Sequence, residues 1–337
     1  MLHIDEQQVE TATLQPVTPS APLRTSAIIC AYSDDRWELL KDCVASLQQQ
    51  AAPPHEIILV IDHNEQLAAR AIEMFRGTRV MRNAEQRGLS GARNSGLRAA
   101  TGDVVVFLDD DARAAPEWLA SIASAFSDAG VVGVGTNVVP RWETGAPPWF
   151  PEEFSWVIGC SYRGLPREIS RVRNPLGAAM AFRRDALERV GGFTRGIGRI
   201  GTLPLGCEET EASIRVRRQV GGTVLYLPDA TVEHFIPVAR TRWSYFVSRC
   251  WHEGISKGLI AAEVGRNDAL ASERTYVTTT LPKGISRGLK DALNGDPSGL
   301  ARAIAIILGL VITISGYARA RMAHTVSRVL RRRSSLR

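Results

Sequence analysis

The chain has 337 residues, enough for one large domain with extensions or for two domains. With 45% hydrophobic and 23% charged residues it has a globular composition and can build a sizeable core. The net charge of +6 is concentrated at one end: residues 319–337 hold seven Arg and no acid, the remainder is close to neutral, and nothing marks the body as a nucleic-acid binder.

Residues 1–24 are polar, contain three prolines and lack the basic-then-apolar pattern of a signal peptide, so they read as a flexible N-terminal arm. Ser26 to Tyr32 reads as a first strand, followed by Asp34, Asp35 and a helix from about Trp37 to Gln50. Glu56 to Ile61 is a second apolar strand ending in Asp62. Leu67 to Phe75 is helical, Thr78 to Met81 a short strand, and Gly88 to Ala100 a helix that opens with small residues. The next strand, Val104 to Leu108, is five apolar residues that stop abruptly in Asp109, Asp110 and Asp111. Strands alternating with helices predict βαβ units and a mainly parallel sheet flanked by helices.

Beyond Pro116, a helix near 117–129 and a strand 131–139 are expected. Residues 140–175, rich in Pro, Trp, Gly and Arg, read as a long functional loop. Gly177 to Phe182 is a strand and Arg184 to Val190 a short helix. A glycine-rich stretch then leads to a helix beginning near Cys207. Short strands follow at 224–227 and 231–235, and helices after them. Five scattered cysteines, Cys30, Cys43, Cys160, Cys207 and Cys250, give no sign of a disulfide framework or a zinc site and fit a reducing compartment. Ala303 to Ala318 is an uncharged run of sixteen residues, just short of the roughly 17 to 20 that a membrane span needs. Because the Arg-rich tail follows at once, a membrane-embedded or interfacial helix is favoured over a buried one, with the tail on an anionic cytoplasmic lipid surface.

The acidic run carries the most chemistry. Ligands of open α/β sheets bind beyond the carboxyl ends of the strands. Three acids there repel one another unless a cation sits among them, and hard oxygen ligands suit Mg²⁺ or Mn²⁺ holding substrate phosphates. A helix N-cap would need one acid, not three. Asp62, at another strand end, is placed to accept a hydrogen bond from a base or ribose; an ordinary turn aspartate is the alternative, and Asp35 is the weaker case. Gly88, Gly91 and Gly96 do not have dinucleotide-fingerprint spacing, and tight helix–strand packing explains them as well as a phosphate approach does. Arg93 in that segment supplies a permanent charge. Glu208, Glu209 and Glu211 at a helix start are either dipole-compatible surface acids or the source of a general base, with Glu209 as base and Glu208 as orienting neighbour. His234 is a candidate metal ligand, although a lone strand histidine is also an ordinary structural residue.

Taken together, Ser26-Ala-Ile-Ile-Cys-Ala-Tyr32, Asp62, Gly88-Leu-Ser-Gly-Ala-Arg-Asn-Ser-Gly96, Phe107-Leu-Asp-Asp-Asp111, Gly177-Ala-Ala-Met-Ala-Phe-Arg-Arg184, Val190-Gly-Gly-Phe193, Cys207-Glu-Glu-Thr-Glu211 and Val232-Glu-His234 resemble, in order, the inverting family 2 glycosyltransferases of GT-A fold. The likeness covers about residues 25 to 250. It implies an α/β fold with a GT-A domain at 25–255 and a helical C-terminal extension at 256–337. It also implies base contacts at Asp35 and Asp62 and a diphosphate contact at Arg93. Asp109 and Asp111 fall on the D-x-D, with Asp110 between them beside the nucleotide sugar, and His234 on a further metal position. Glu209 falls on the catalytic base, usually Asp in this family, which leaves open whether Glu208 or Glu209 does the work.

Processive synthases of the family carry Q-x-x-R-W. The nearest match here, Ala239-Arg-Thr-Arg-Trp243, lacks the Gln, which argues for addition of one sugar. Trp149, Trp156, Arg242 and Trp243 are the acceptor-side candidates. The segments 142–166 and 205–257 look like the subgroup called glucosyl-dolichyl-phosphate glucuronosyltransferases, which implies a UDP-linked donor and a polyprenyl-linked acceptor. Two rivals stand beside this reading: a non-catalytic sugar-nucleotide-binding scaffold, and a D-x-D phosphohydrolase. The latter wants a lysine at the phosphoryl group, and Lys41, Lys257, Lys283 and Lys290 have no convincing context.

Overall fold

The computed structural model describes residues 23–197, 206–263 and 271–334. Most of the expected N-terminal arm, and most of the glycine-rich stretch before Cys207, lie outside the described residues.

The first half follows the expected alternation: β1 (Thr25–Ala31), α1 (Trp37–Gln48), β2 (Glu56–Ile61), α2 (Glu65–Met74), β3 (Arg79–Arg82), α3 (Leu89–Ala99) and β4 (Val104–Asp109). Then come β5 (Ala112–Ala114), α4 (Trp118–Ala125), β6 (Val131–Trp142), β7 (Ser170–Val172), β8 (Ala179–Arg183), α5 (Arg184–Arg189), α6 (Glu208–Gln219) and β9 (Thr223–Ile236). The nine strands form one sheet in the order β3-β2-β1-β4-β8-β6-β9-β5, with β7 paired to β9. Strands β1, β2, β3, β4, β6 and β9 share one direction, while β8, β5 and β7 run against their neighbours, so the sheet is parallel in its frame and mixed at three strands.

Alternating side chains divide between two faces. Ile29, Leu59, Val104 and Val106 join a core covered by α1, α2 and α4. Ile28, Ile58, Val60, Val105 and Phe107 join another under α3, α5 and α6. Glycines allow the close approach of α3: a Cβ at Gly96 would lie 2.5 Å from Ile28 Cγ2, and one at Gly91 2.1 Å from the Gln86 carbonyl oxygen.

Three differences from the sequence pattern have local causes. Strands β5 and β7 are three residues each, too short to show a period. The two strands expected at 224–227 and 231–235 are one strand, β9. Its pairing with β6 steps from Thr136↔Leu227 to Asn137↔Thr231, so Pro228, Asp229 and Ala230 bulge out of the ladder.

The C-terminal helices are α7 (Trp243–Glu263), α8 (Ala271–Thr275), α9 (Leu281–Leu293) and α10 (Ser298–Ser334). The junction expected at 255/256 falls within α7. Phe246, Cys250, Leu281 and Ile306 from these helices belong to the same buried cluster as the α1 side of the sheet. The loop after β6 is bound to them: Trp156 Nε1 donates to Tyr276 Oη at 2.9 Å, Tyr276 Oη donates to the Glu153 carbonyl, and buried Glu153 pairs with Arg287.

Candidate active site

Parallel register brings the chemistry to one edge. Cys30 stands opposite Asp109 and Ala31 opposite Ile61, so β1, β2 and β4 end in a row. A cleft of 240 Å³ opens there, lined by residues that include Tyr32, Arg36, Asp62, Arg87, Gly88, Asp109 and Asp110. Asp62 organises its wall: Oδ1 accepts from Asn83 Nδ2 at 2.6 Å and lies 2.8 Å from His63 Nδ1, while Oδ2 accepts from the Gly88 amide at 2.9 Å. Gly88 has φ = 129°, a conformation that favours glycine. Asp35 lies outside this lining, exposed and held by Ser33 Oγ at 2.9 Å.

The three aspartates separate. Asp109 is partly open and takes Arg93 Nη2 at 3.4 Å. Asp110 and Asp111 are buried. Arg36 Nη1 lies 2.7 Å from Asp110 Oδ1 and 3.2 Å from Asp111 Oδ2. Strand β9 delivers the histidine: Ala112 pairs with His234, and the Phe235 amide donates to the Asp111 carbonyl at 2.9 Å. His234 Nε2 is 3.1 Å from Asp111 Oδ1, and Arg240 Nη2 is 3.5 Å from Asp111 Oδ2. Behind the ring, Gly159 at φ = 82° leaves room that a Cβ would close to 2.9 Å from His234 Cε1.

The donors fit a divalent ion. Ligand atoms of Asp109, Asp111 and His234 lie within 4.8 Å of one another, the one such cluster among the described residues. Asp110 Oδ2 is buried without a hydrogen-bond partner, and Asp111 Oδ1 is buried facing only His234 Nε2. The 3.1 Å between His234 Nε2 and Asp111 Oδ1 matches neighbouring ligands of one octahedral ion, which at about 2.1 Å each stand roughly 3 Å apart. Burial disfavours the imidazolium, but the Asp111 carboxylate outweighs it and pushes His234 up to about 10. For Asp111 itself, burial is overridden by His234, Arg36 and Arg240, which hold the carboxyl well below its usual range. Asp110 is raised to about 7, chiefly by burial and with a contribution from Asp111, against Arg36.

The glutamate pair divides in a comparable way. Arg93 is fully buried and donates through Nη1 to Glu208 Oε1 at 2.8 Å and through Nη2 to the Gly177 carbonyl at 2.8 Å. Glu209, next along α6, is only partly buried and has Thr210 Oγ1 as a donor at 3.1 Å. Burial and the neighbouring Glu208 raise Glu209 to about 8. A Cβ on Gly177 would lie 3.6 Å from Arg93 Nη2, 3.6 Å from Glu209 Oε2 and 3.8 Å from Glu208 Oε1, so these three groups face one small space.

Of the remaining candidates, Trp149 packs edge-on against Trp243 at 5.0 Å and against Phe246 at 5.6 Å, and Trp156 lies against Phe154. Trp243 stacks on Phe246, and Arg242 is exposed beside it. Trp149 and Trp243 thus pack in the seam between the loop and α7, and Trp156 joins the loop to Tyr276. Arg240, two residues before Arg242, is the one that reaches the carboxylates. Arg36 and Arg240 carry no sequence signal of their own; the first sits at a helix start and the second in a short turn.

Over residues 26–191 the chain matches the sequence profile described as glycosyl transferase family 2. It is 35% identical over 239 residues to the glucosyl-dolichyl phosphate glucuronosyltransferase of Haloferax volcanii, covering 70% of this chain and 76% of that one. The mouse polypeptide N-acetylgalactosaminyltransferase 15 is 29% identical over 240 residues, 64% of this chain and 36% of that protein, so the chain spans about a third of its length. Among solved structures, the mannosyltransferase PcManGT from Pyrobaculum calidifontis, in complex with GDP-Man and Mn²⁺, aligns over 92% of this chain and 91% of its own, with a TM-score of 0.55 and 18% identity, a similarity of fold.

Proposed function

The chain belongs to glycosyl transferase family 2, and from that premise we propose that it moves one sugar, with inversion, from a UDP-linked donor to a hydroxyl of a polyprenyl-linked acceptor at the cytoplasmic membrane face. The observation that carries the reading is the convergence of Asp109, Asp111 and His234 on one side of Arg93, and of Glu208 and Glu209 on the other. The donor and acceptor classes rest on the 35% identity to the Haloferax volcanii enzyme, whose name specifies a glucosyl-dolichyl phosphate acceptor and glucuronosyl transfer.

In this reading Asp109, Asp111 and His234 hold Mg²⁺ or Mn²⁺, and Asp110 fixes Arg36 at the nucleotide cleft. When bound, the ion supplies positive charge that stabilises the diphosphate as it leaves. Asp62, with Asp35 at the outer edge, serves the base and ribose. Arg93, shielded from water and locked by Glu208 and the Gly177 carbonyl, presents a fixed charge where negative charge develops, which needs no reorganisation during the reaction. Glu209 takes the proton of the acceptor hydroxyl. The acceptor oxygen attacks the anomeric carbon, and the bond to the diphosphate breaks with its electron pair leaving on the phosphate oxygen. Trp149 and Trp156 back the acceptor side through the loop that carries Gly159.

The test is transfer from UDP-glucuronate and other UDP-sugars to a short polyprenyl-phospho-glucose with Mn²⁺ or Mg²⁺. Turnover that disappears in Asp111→Ala and Glu209→Gln supports the reading. Turnover retained by both variants overturns the mechanism, and nucleotide binding without turnover on any lipid-linked acceptor favours the scaffold.

A further inference from the structure

The described residues expose sixteen large hydrophobic side chains, and twelve of them lie from Trp243 onward. Seven fall on α10: Leu300, Ile304, Ile307, Leu308, Val311, Ile314 and Met322. Spaced at three, four or eight residues, with Leu308 beside Ile307, they make one stripe along a helix face, roughly 33 Å long at 1.5 Å per residue. Between Leu300 and Met322 the other exposed positions are Ser315, Ala318 and Arg319, so the face carries one cation and no acid. A groove of 680 Å³ extends the stripe onto α7 and is lined by Trp243, Val247, Trp251, Val311, Ile312 and Ser315. A water-facing helix surface would carry charges at such positions.

The opposite face of α10 is committed to the protein. A Cβ at Gly316 would lie 2.3 Å from the Trp251 carbonyl oxygen, and one at Gly254 on α7 would lie 2.1 Å from that of Thr313. Gly309 sits against the rings of Phe154 and Phe246, and Ala303, Ala305, Ile306 and Ala320 are buried. The segment Ser298–Ala323 is long and apolar enough to cross a membrane. Crossing as a lone helix would strip α7, Phe154 and Phe246 of these contacts.

We propose that α10 lies lengthwise in the membrane interface, its outer stripe and the α7–α10 groove in the lipid and its inner face still packed on the body. The occupant is an anionic bilayer surface. Arg319 stands on the stripe, and the sequence beyond it adds six more Arg and no acid, a charge pattern complementary to anionic headgroups. The placement deepens the membrane part of the function proposed above and does not depend on the transfer chemistry.

The test uses the full chain, flotation with phosphatidylglycerol or phosphatidylcholine vesicles, and alkaline carbonate washing of membranes from expressing cells. The expected result is flotation with the anionic vesicles, release by carbonate, and loss of vesicle partitioning on the order of 100-fold in Ile307→Glu/Val311→Glu/Ile314→Glu with an unchanged melting temperature. Should the triple variant melt early, Ile304→Glu alone and quenching of wild-type tryptophan fluorescence by lipids brominated near the headgroup make the same decision. Retention in carbonate-washed membranes means a spanning helix and overturns the proposal. Failure to float, with self-association in the ultracentrifuge, assigns the face to a second copy and also overturns it. Failure of sugar transfer with intact flotation strikes only the functional reading.

Discussion

At the scale of single residues, the paired glutamates make the sharpest test. Glu208 is tied to Arg93, while Glu209 is raised to about 8 by burial and by Glu208. A general base works only when ionised. An acid with a raised pKa keeps its proton below that value, so the inactive form is the low-pH form, and kcat/KM should climb as pH rises through about 8 and level off above it. Glu209→Gln should lower turnover roughly 10²- to 10⁴-fold and erase the climb. Glu208→Gln should act through Arg93, lowering turnover while keeping a climb, whose midpoint moves to lower pH because the charge that helps raise Glu209 is gone. A flat wild-type profile between pH 6 and 9 would remove Glu209 from the role. Gly177 offers a test that spares the fold. Its Cβ would stand at ordinary contact distance from Arg93, Glu208 and Glu209, so Gly177→Ala should fold normally and place a methyl group in the space between them. The expected outcome is a melting temperature within a few degrees of wild type and a loss of kcat/KM on the order of 10²-fold, the scale of a displaced reactant.

At the scale of elements, β9 and the loop before β7 position His234 from both sides. Gly159 lies against its ring, and Cys160 Sγ is 3.7 Å from Nδ1. Gly159→Ala would force the imidazole out of its present position at Asp111 and strain a left-handed residue. Mn²⁺ affinity by calorimetry should fall about 10- to 100-fold, the usual cost of disturbing a ligand's support; unchanged affinity would show that His234 is not a ligand. This element also marks how far the sequence could be read. The apolar runs of β1, β2 and β4 announce parallel strands, and Asp62 and Asp109 at their ends announce a ligand edge, because both signals are local. The pairing of Ala112 with His234 is not local, and β5 is three residues long, so the meeting of Asp111 with His234 is visible in sequence only through the family likeness. Arg36 and Arg240 escape for the same reason: their roles arise from where a turn aims the side chain. The tryptophans illustrate the converse, since aromatic richness in a loop signals burial before it signals recognition.

At the scale of the whole molecule, the C-terminal helices bear on how the catalytic half holds together. A helical extension after a nucleotide-binding sheet suggests a removable module. Yet Phe246, Cys250, Leu281 and Ile306 share one buried cluster with Ile29, Leu59 and Val104. Glu153, inside the loop that supports His234, is buried and neutralised by Arg287 of α9. Removing α9 and α10 would therefore unpair Glu153, open its carboxylate to water and uncover Phe154 and Phe246. Uncovering two aromatic side chains costs about 1.5 to 3 kcal/mol each, and losing the Arg287–Glu153 pair, whose guanidinium is partly exposed, adds a smaller amount. Those costs are a large share of a typical domain's total stability, about 5 to 15 kcal/mol. A chain truncated after residue 280 should then lose its cooperative melting transition and its metal-dependent nucleotide binding together, and the full chain should melt in a single step in detergent. Arg287→Ala should lower the melting temperature by several degrees without touching any group at the carboxylate edge. If the truncated chain melts cooperatively and still binds nucleotide with Mn²⁺, the helices are a separate module and the shared core contributes little to the site.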